Sequence, residues 1–128
     1  MERKTVIFTP QELVKLTALL NNWPVKNHGQ MVFVSKLYHR VELRKAEKEL
    51  IGWQEVVTQG GQAFYQFNND YELSRDLSKE DTDNLLHIAQ NPPESMPWSF
   101  AELSIYNALI KKLGGEPITE EEEALTDA

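Results

Sequence analysis

The 128-residue chain contains no cysteine, which excludes disulfides, thiolate metal sites and a cysteine nucleophile. It has no apolar run approaching the roughly 18 residues that a membrane-spanning helix needs. Its opening Met1-Glu2-Arg3-Lys4 leads into a four-residue patch, Thr5 to Phe8, too short for the core of a secretion signal. The expectation is a cytoplasmic protein that does not engage a membrane. Histidine is scarce too. His28, His39 and His87 are never four apart on one helix face, and His39 with Glu42 supplies one imidazole and one carboxylate, short of a zinc site or an activated nucleophile. Asp81-Thr82-Asp83 opens like a calcium loop but lacks the later Gly and Glu at the required spacing, and its acids suit a helix N-terminus instead. Gly60-Gly61 is too short to cradle a phosphate, and no Gly-x-Ser-x-Gly or His-Glu-x-x-His is present. No catalytic residue, no metal and no cofactor is therefore expected, and the chain is read as a non-enzyme.

What is present fits one folded domain. A hydrophobic fraction of 41% with 26% charged residues is that of an ordinary globular chain, and the length suffices for one core. The net charge of −7 is concentrated at one end: six of the twenty acids, and no Lys or Arg, lie from Gly114 onward, leaving fourteen acids against thirteen bases before it. A body this balanced lacks the dense acidic face of a DNA mimic. Residues 1–113 read as a single α+β domain and residues 114–128 as an acidic C-terminal tail. That tail holds a Thr119-x-x-Glu122 box, and it is either a short helix docked through Ile118 and Leu125 or a solubilising appendage.

Capping signals divide the body. Thr5 to Phe8 is β-prone, and Thr9-Pro10-Gln11-Glu12 follows as N-cap, proline at the first helical position and capping-box acid. Leu13, Leu16, Leu19 and Leu20 continue at helical spacing until Asn22-Trp23-Pro24. Asn27 caps a second helix with Met31, Val34, Leu37, Tyr38 and Val41 on its apolar stripe, which shifts to Leu43, Ala46 and Leu50 before Gly52. Strand-like runs at 53–58 and 62–67 flank Gly60-Gly61, and a further short strand is expected over 71–77. Ser78 to Asp81 caps a third helix, and Ser99 with Glu102 caps a fourth that stops at Gly114-Gly115.

The two halves echo each other. Phe8-Thr9 with Glu12 matches Leu77-Ser78 with Asp81 at an offset of 69, and Asn27 with Gln30 matches Ser99 with Glu102 at 72. This reads as a strand-helix-helix duplication around a central hairpin, the alternative being that capping boxes simply recur. The fold expected is α+β: a small antiparallel sheet containing the central β-hairpin, packed against two helical hairpins.

The surfaces worth weighing are aromatic and charged. A two-residue Gly60-Gly61 turn would pair Val57 with Phe64 and put Trp53 on their face, with Val56, Tyr65 and Phe67 on the other. Either helices cover both faces or one aromatic face awaits a partner. The Pro-rich loop from Asn91 offers Met96 and Trp98, and Trp98 equally suits core anchoring. Lys36, Arg40, Arg44, Lys45 and Lys48 punctuate the second helix, but Glu42, Glu47 and Glu49 interleave with them.

These features favour a non-enzymatic protein-binding module, a small regulator or inhibitor of a host protein of the kind phages and mobile elements encode. Trp53, Phe64, Tyr65, Met96 and Trp98 would anchor a partner while Glu120, Glu121, Glu122 and Glu123 steer toward its basic surface. The alternative is a helix-turn-helix nucleic-acid binder that reads through Lys36, Arg40, Arg44, Lys45 and Lys48. A third reading is a self-associating scaffold protein, a homo-oligomer.

Overall fold

The computed structural model describes residues 3–119. It is a mixed α+β protein with two small antiparallel sheets and five α-helices in the order β1 (Arg3–Phe8), α1 (Pro10–Asn21), α2 (His28–Val41), α3 (Lys45–Leu50), β2 (Gln54–Val57), β3 (Ala63–Gln66), β4 (Leu73–Ser78), α4 (Lys79–Gln90) and α5 (Leu103–Lys112). A 3₁₀ turn, Phe100–Glu102, leads into α5. Among the described residues no helix is long and apolar enough to cross a membrane.

The strands divide differently from the single sheet expected. β1 pairs with β4 and β2 pairs with β3, as two separate two-stranded sheets. The reason lies in side-chain alternation. Val6 and Phe8 on β1 and Leu73 and Leu77 on β4 point into the core, so this pair is anchored from one face. β2 and β3 have no fully buried residue and nothing to seat them beside it.

Each core strand runs straight into a helix, and the cap at each junction forms as the sequence implies. Thr9 Oγ1 accepts from the Glu12 N–H while Glu12 Oε1 accepts from the Thr9 N–H; Ser78 and Asp81 repeat the exchange. α2 starts with Asn27 Oδ1 accepting from the Gln30 N–H, but the Gln30 side chain accepts from Lys26 instead of closing the box. The apolar stripes of α1, α2, α4 and α5 bury Leu13, Leu16, Leu19, Val34, Leu37, Val41, Leu85, Ile88, Leu109 and Ile110 in one cluster with the β1–β4 face.

The sequence echo has a geometric counterpart. Shifted by 69, Val6 becomes Arg75, and Val6 lies directly opposite Arg75 in the β1–β4 ladder, so a local two-fold axis passes through that pair. The packing obeys the same axis: α1 meets α4, α2 crosses onto β4, and α5 crosses onto β1. The ion pairs obey it too. The capping acid Asp81 is paired with Arg40 near the end of α2, at 3.3 Å, and the capping acid Glu12 is paired with Lys112 at the end of α5. Arg40 and Lys112 differ by 72, and Asp81 and Glu12 by 69, the two offsets of the sequence echo. Each strand-helix junction is thus tied down by a cation from the other half.

The long second helix expected through Gly52 is interrupted. α2 ends at Val41, and α3 begins after an extended Arg44. Arg75 sits at the break: its guanidinium donates to the Glu42 carbonyl at 2.9 Å and to both carboxylate oxygens of Glu47 at 2.6 and 2.7 Å, while Glu47 Oε1 also accepts from the Arg44 N–H. Glu42 O is thereby turned toward a side chain, and Glu47 becomes the capping acid of a new helix. Gly52, at φ +71, ends α3 as anticipated.

Candidate functional site

The hairpin turn is a three-residue loop, Gln59 to Gly61, between Thr58 and Gln62. The Thr58 N–H donates to Gln62 O at 2.8 Å and the Gly61 N–H to Thr58 O at 3.0 Å, with Gly61 at φ +81. This is a type I turn followed by a left-handed glycine, the usual three-residue hairpin connection. The extra loop residue moves the register by one from that expected: Val56 faces Phe64, Val57 faces Ala63 and Glu55 faces Tyr65. A one-residue slip exchanges faces. Tyr65 and Phe67 therefore join Trp53, and Phe64 joins Val56.

Two surfaces result. Trp53 stacks on Tyr65 and Phe67, with ring centroids 4.7 and 5.4 Å apart, and the Lys48 ammonium lies 5.2 Å from its centre. Trp53 and Tyr65 form one wall of a groove of about 380 Å³ whose other wall is Val14, Ala18 and Tyr38 on α1 and α2. Phe67 and Met96 flank an adjoining groove of about 270 Å³ over the same Val14 and Ala18. On the opposite face Phe64 is 44% exposed, and on the first face Tyr65 is 51% and Val57 64% exposed. Among the described residues no helix covers the hairpin on both sides. From Glu49 to Ser74 the chain carries Glu49, Glu55, Asp70 and Glu72 and no Lys or Arg, while Lys48 and Lys15 reach the two grooves from α3 and α1.

The other candidates are distributed as follows. Trp98 is half-buried: its indole N–H donates to Ala89 O at 2.8 Å, its ring meets Tyr106 edge-on, and the Lys15 ammonium lies 4.5 Å from its centre. That is anchoring of the Pro-rich loop to α4 and α5. Met96 is half-buried, its sulfur accepting from Asn22 Nδ2. Glu120, Glu121, Glu122 and Glu123 lie outside the described residues, as does Leu125. Ile118 is held by Asn107, which accepts from its N–H and donates to its carbonyl.

The five cations of the helix-turn-helix reading do not form one stripe. Lys36, Arg40 and Arg44 line a cleft of about 580 Å³ between α2 and the β1–β4 pair, together with Arg3, Ser74 and Arg75. Lys45 and Lys48 belong to α3, and Lys48 is committed to Trp53. Arg75 is the residue that sequence reasoning missed. It occupies an inward strand position with a side chain 3% exposed and bidentate to Glu47, and its Nε is a buried nitrogen with no partner among the described residues. A charged residue at the inward alternation position between Leu73 and Leu77 was the available signal. Burial raises the Glu47 pKa, but the Arg75 hydrogen bond, the Arg44 N–H and the two guanidinium charges outweigh it and hold the carboxyl below its ordinary range.

Among the described residues no group of three or more His, Asp or Glu is placed to hold a metal ion. Comparison with family models, with curated proteins and with solved structures finds no match for the chain.

Proposed function

We propose that the protein is a non-enzymatic protein-binding module that docks a partner through its β2–β3 hairpin, acting as a small regulator or inhibitor. The observation that carries this reading is an isolated two-stranded sheet bearing half-exposed Phe64 and Tyr65 on opposite faces, stiffened at its base by the Trp53–Tyr65–Phe67 stack. A two-stranded hairpin is marginal by itself, and a cluster of half-exposed aromatic side chains on one is the kind of apolar patch that marks an interaction site. Rigid aromatics give large contact area at small entropic cost, as interface anchors do. The four acids and absent cations from Glu49 to Ser74 point to a partner protein whose apolar pocket is rimmed by Lys or Arg. The Glu120 to Glu123 run adds long-range attraction of the same sign.

The test is site-specific photo-crosslinking from position 64 or 65 in a lysate of the native host, with F64A and Y65A as competitors. One stoichiometric protein cross-linked at the hairpin, and lost with both substitutions while the melting temperature holds, supports the reading. Capture that is indifferent to both substitutions overturns it, and cross-linking only to a second copy of the chain replaces it with self-association.

A further inference from the structure

The cleft between α2 and the β1–β4 pair lies on the side of α2 away from the hairpin groove. Tyr38 faces the hairpin, whereas Lys36 and Arg40, two residues to either side, face the cleft. It is cationic beyond what internal pairing consumes. Arg40 is taken by Asp81, Arg75 by Glu47, and His39 lies 3.4 Å from Glu42. Asp76, the acid on the cleft wall, accepts from the Thr5 hydroxyl, and its carbonyl takes one Arg3 hydrogen bond. Lys36 and Arg44 form no ion pair within 4 Å among the described residues, although the Arg44 charge still acts on Glu47. Ser74 also borders the cleft, its carbonyl accepting from Arg75.

The local two-fold supplies the control. At the equivalent positions of the other half, Lys36 becomes Ala108, Arg44 becomes Glu116 and Arg75 becomes Val6. The features that the two halves share, the capping boxes, the cross-half ion pairs and the buried leucines, are those that hold the fold. The cations are present on one side only, so packing does not require them. A buried arginine at a position that valine fills in the other half carries a desolvation cost without a matching gain in stability. It binds Glu47 and the Glu42 carbonyl on either side of Arg44, which lines the cleft.

We infer that this cleft is a binding site for a compact phosphate group carried by a small molecule, with Lys36 and Arg44 as its direct ligands and Arg75 as a positioning residue. Two cationic side chains that line one cleft without an ion-pair partner match the charge of a phosphate. The volume of about 580 Å³ lies within the roughly 300–1,000 Å³ of small-molecule sites. The acids around it, Asp76, Glu42 and Asp81, oppose a long run of phosphates, so a discrete anion is favoured over a nucleic-acid backbone. This goes beyond the hairpin reading and is independent of it.

The experiment is calorimetric titration of the full chain at low salt with inorganic pyrophosphate, ATP and a single-stranded oligonucleotide as separate probes. Pyrophosphate or ATP should bind with 1:1 stoichiometry, and K36M and R44M should each weaken binding by roughly tenfold, the scale of one charge-assisted hydrogen bond. K111M, on exposed α5 surface, should leave binding unchanged, and circular dichroism should show all three variants folded. ATP binding stronger than pyrophosphate assigns a nucleotide-sized ligand, and equal binding assigns the phosphate alone. No heat from either small probe at millimolar concentration overturns the inference, as does equal weakening by K111M. Binding of the oligonucleotide alone, weakened also by K45M and K48M, replaces it with a nucleic-acid surface.

Discussion

The two halves of this protein, β1-α1-α2 and β4-α4-α5, solve one packing problem in one way. Each strand buries its inward side chains, hands the chain to a capped helix, and receives a cation from the other half on its capping acid. They part company at the two-fold axis, where Val6 faces Arg75. Valine there needs only apolar neighbours. Arginine binds Glu47 and the Glu42 carbonyl at a break between α2 and α3, and its Nε–H has no partner among the described residues. What the halves share is explained by stability; what only one half has is where function is to be sought. The hairpin obeys the same logic, since it joins the halves, has no counterpart and contributes no residue to the main core.

That comparison can be broken most sharply at Arg75. R75A leaves the Glu47 carboxylate half-buried without its partner and should cost about 3–5 kcal/mol, read from urea unfolding. R75M with E47L should fall within about 1 kcal/mol of wild type while abolishing pyrophosphate binding. If the double variant is as unstable as R75A, the pair is structural and the halves differ for stability alone. Next come the two junctions. E12A removes a cap and a more deeply buried ion pair than D81A does, so it should cost about 2 kcal/mol against about 1; equal losses would mean that the junctions are interchangeable.

The pH dependence sharpens the comparison further. The folded-state pKa of Glu47 is lowered, so its contribution to stability is complete above the unfolded-state value, about 4.3, and is lost as pH falls through the lower folded value. Glu102 behaves likewise: burial raises its pKa, but Lys15 and the Ser99 N–H lower it further. E47Q should flatten the acid limb of a melting-temperature profile, and the E47L/R75M pair should flatten it equally. The smallest effect is expected at the hairpin tip. F64A should change stability by less than about 0.5 kcal/mol while removing partner capture, whereas G61A, forced to φ +81, should cost about 1 kcal/mol.

Much of the fold was legible because its signals are local. Thr9 with Glu12, Ser78 with Asp81, Asn27, Gly52 and Gly114 act within a turn of their own position. The matching offsets of 69 and 72 marked the two strand-helix-helix halves, though not that their strands pair with each other. The hairpin was visible from Gly60-Gly61, but not its register, because a two-residue and a three-residue loop use the same glycines and differ only in which one takes positive φ. That single residue decided whether Tyr65 or Phe64 shares a face with Trp53. Trp98 was weighed between anchor and contact, and the carbonyl of Ala89, nine residues away, occupies its N–H.

The sequence alone determined the mixed α+β class, the capped strand-helix junctions, the hairpin and the confinement of excess acid to the last fifteen residues, all of which follow from neighbours along the chain. Tertiary structure decided that the strands form two sheets, that α2 stops at Val41, and that Lys36, Arg44 and Arg75 meet around one cleft. Those outcomes depend on a guanidinium finding a carboxylate 28 residues away and on which strand lies opposite which. Such contacts are chosen by the free energy of the assembled core, where a buried charge must find its partner, and no local pattern encodes that choice.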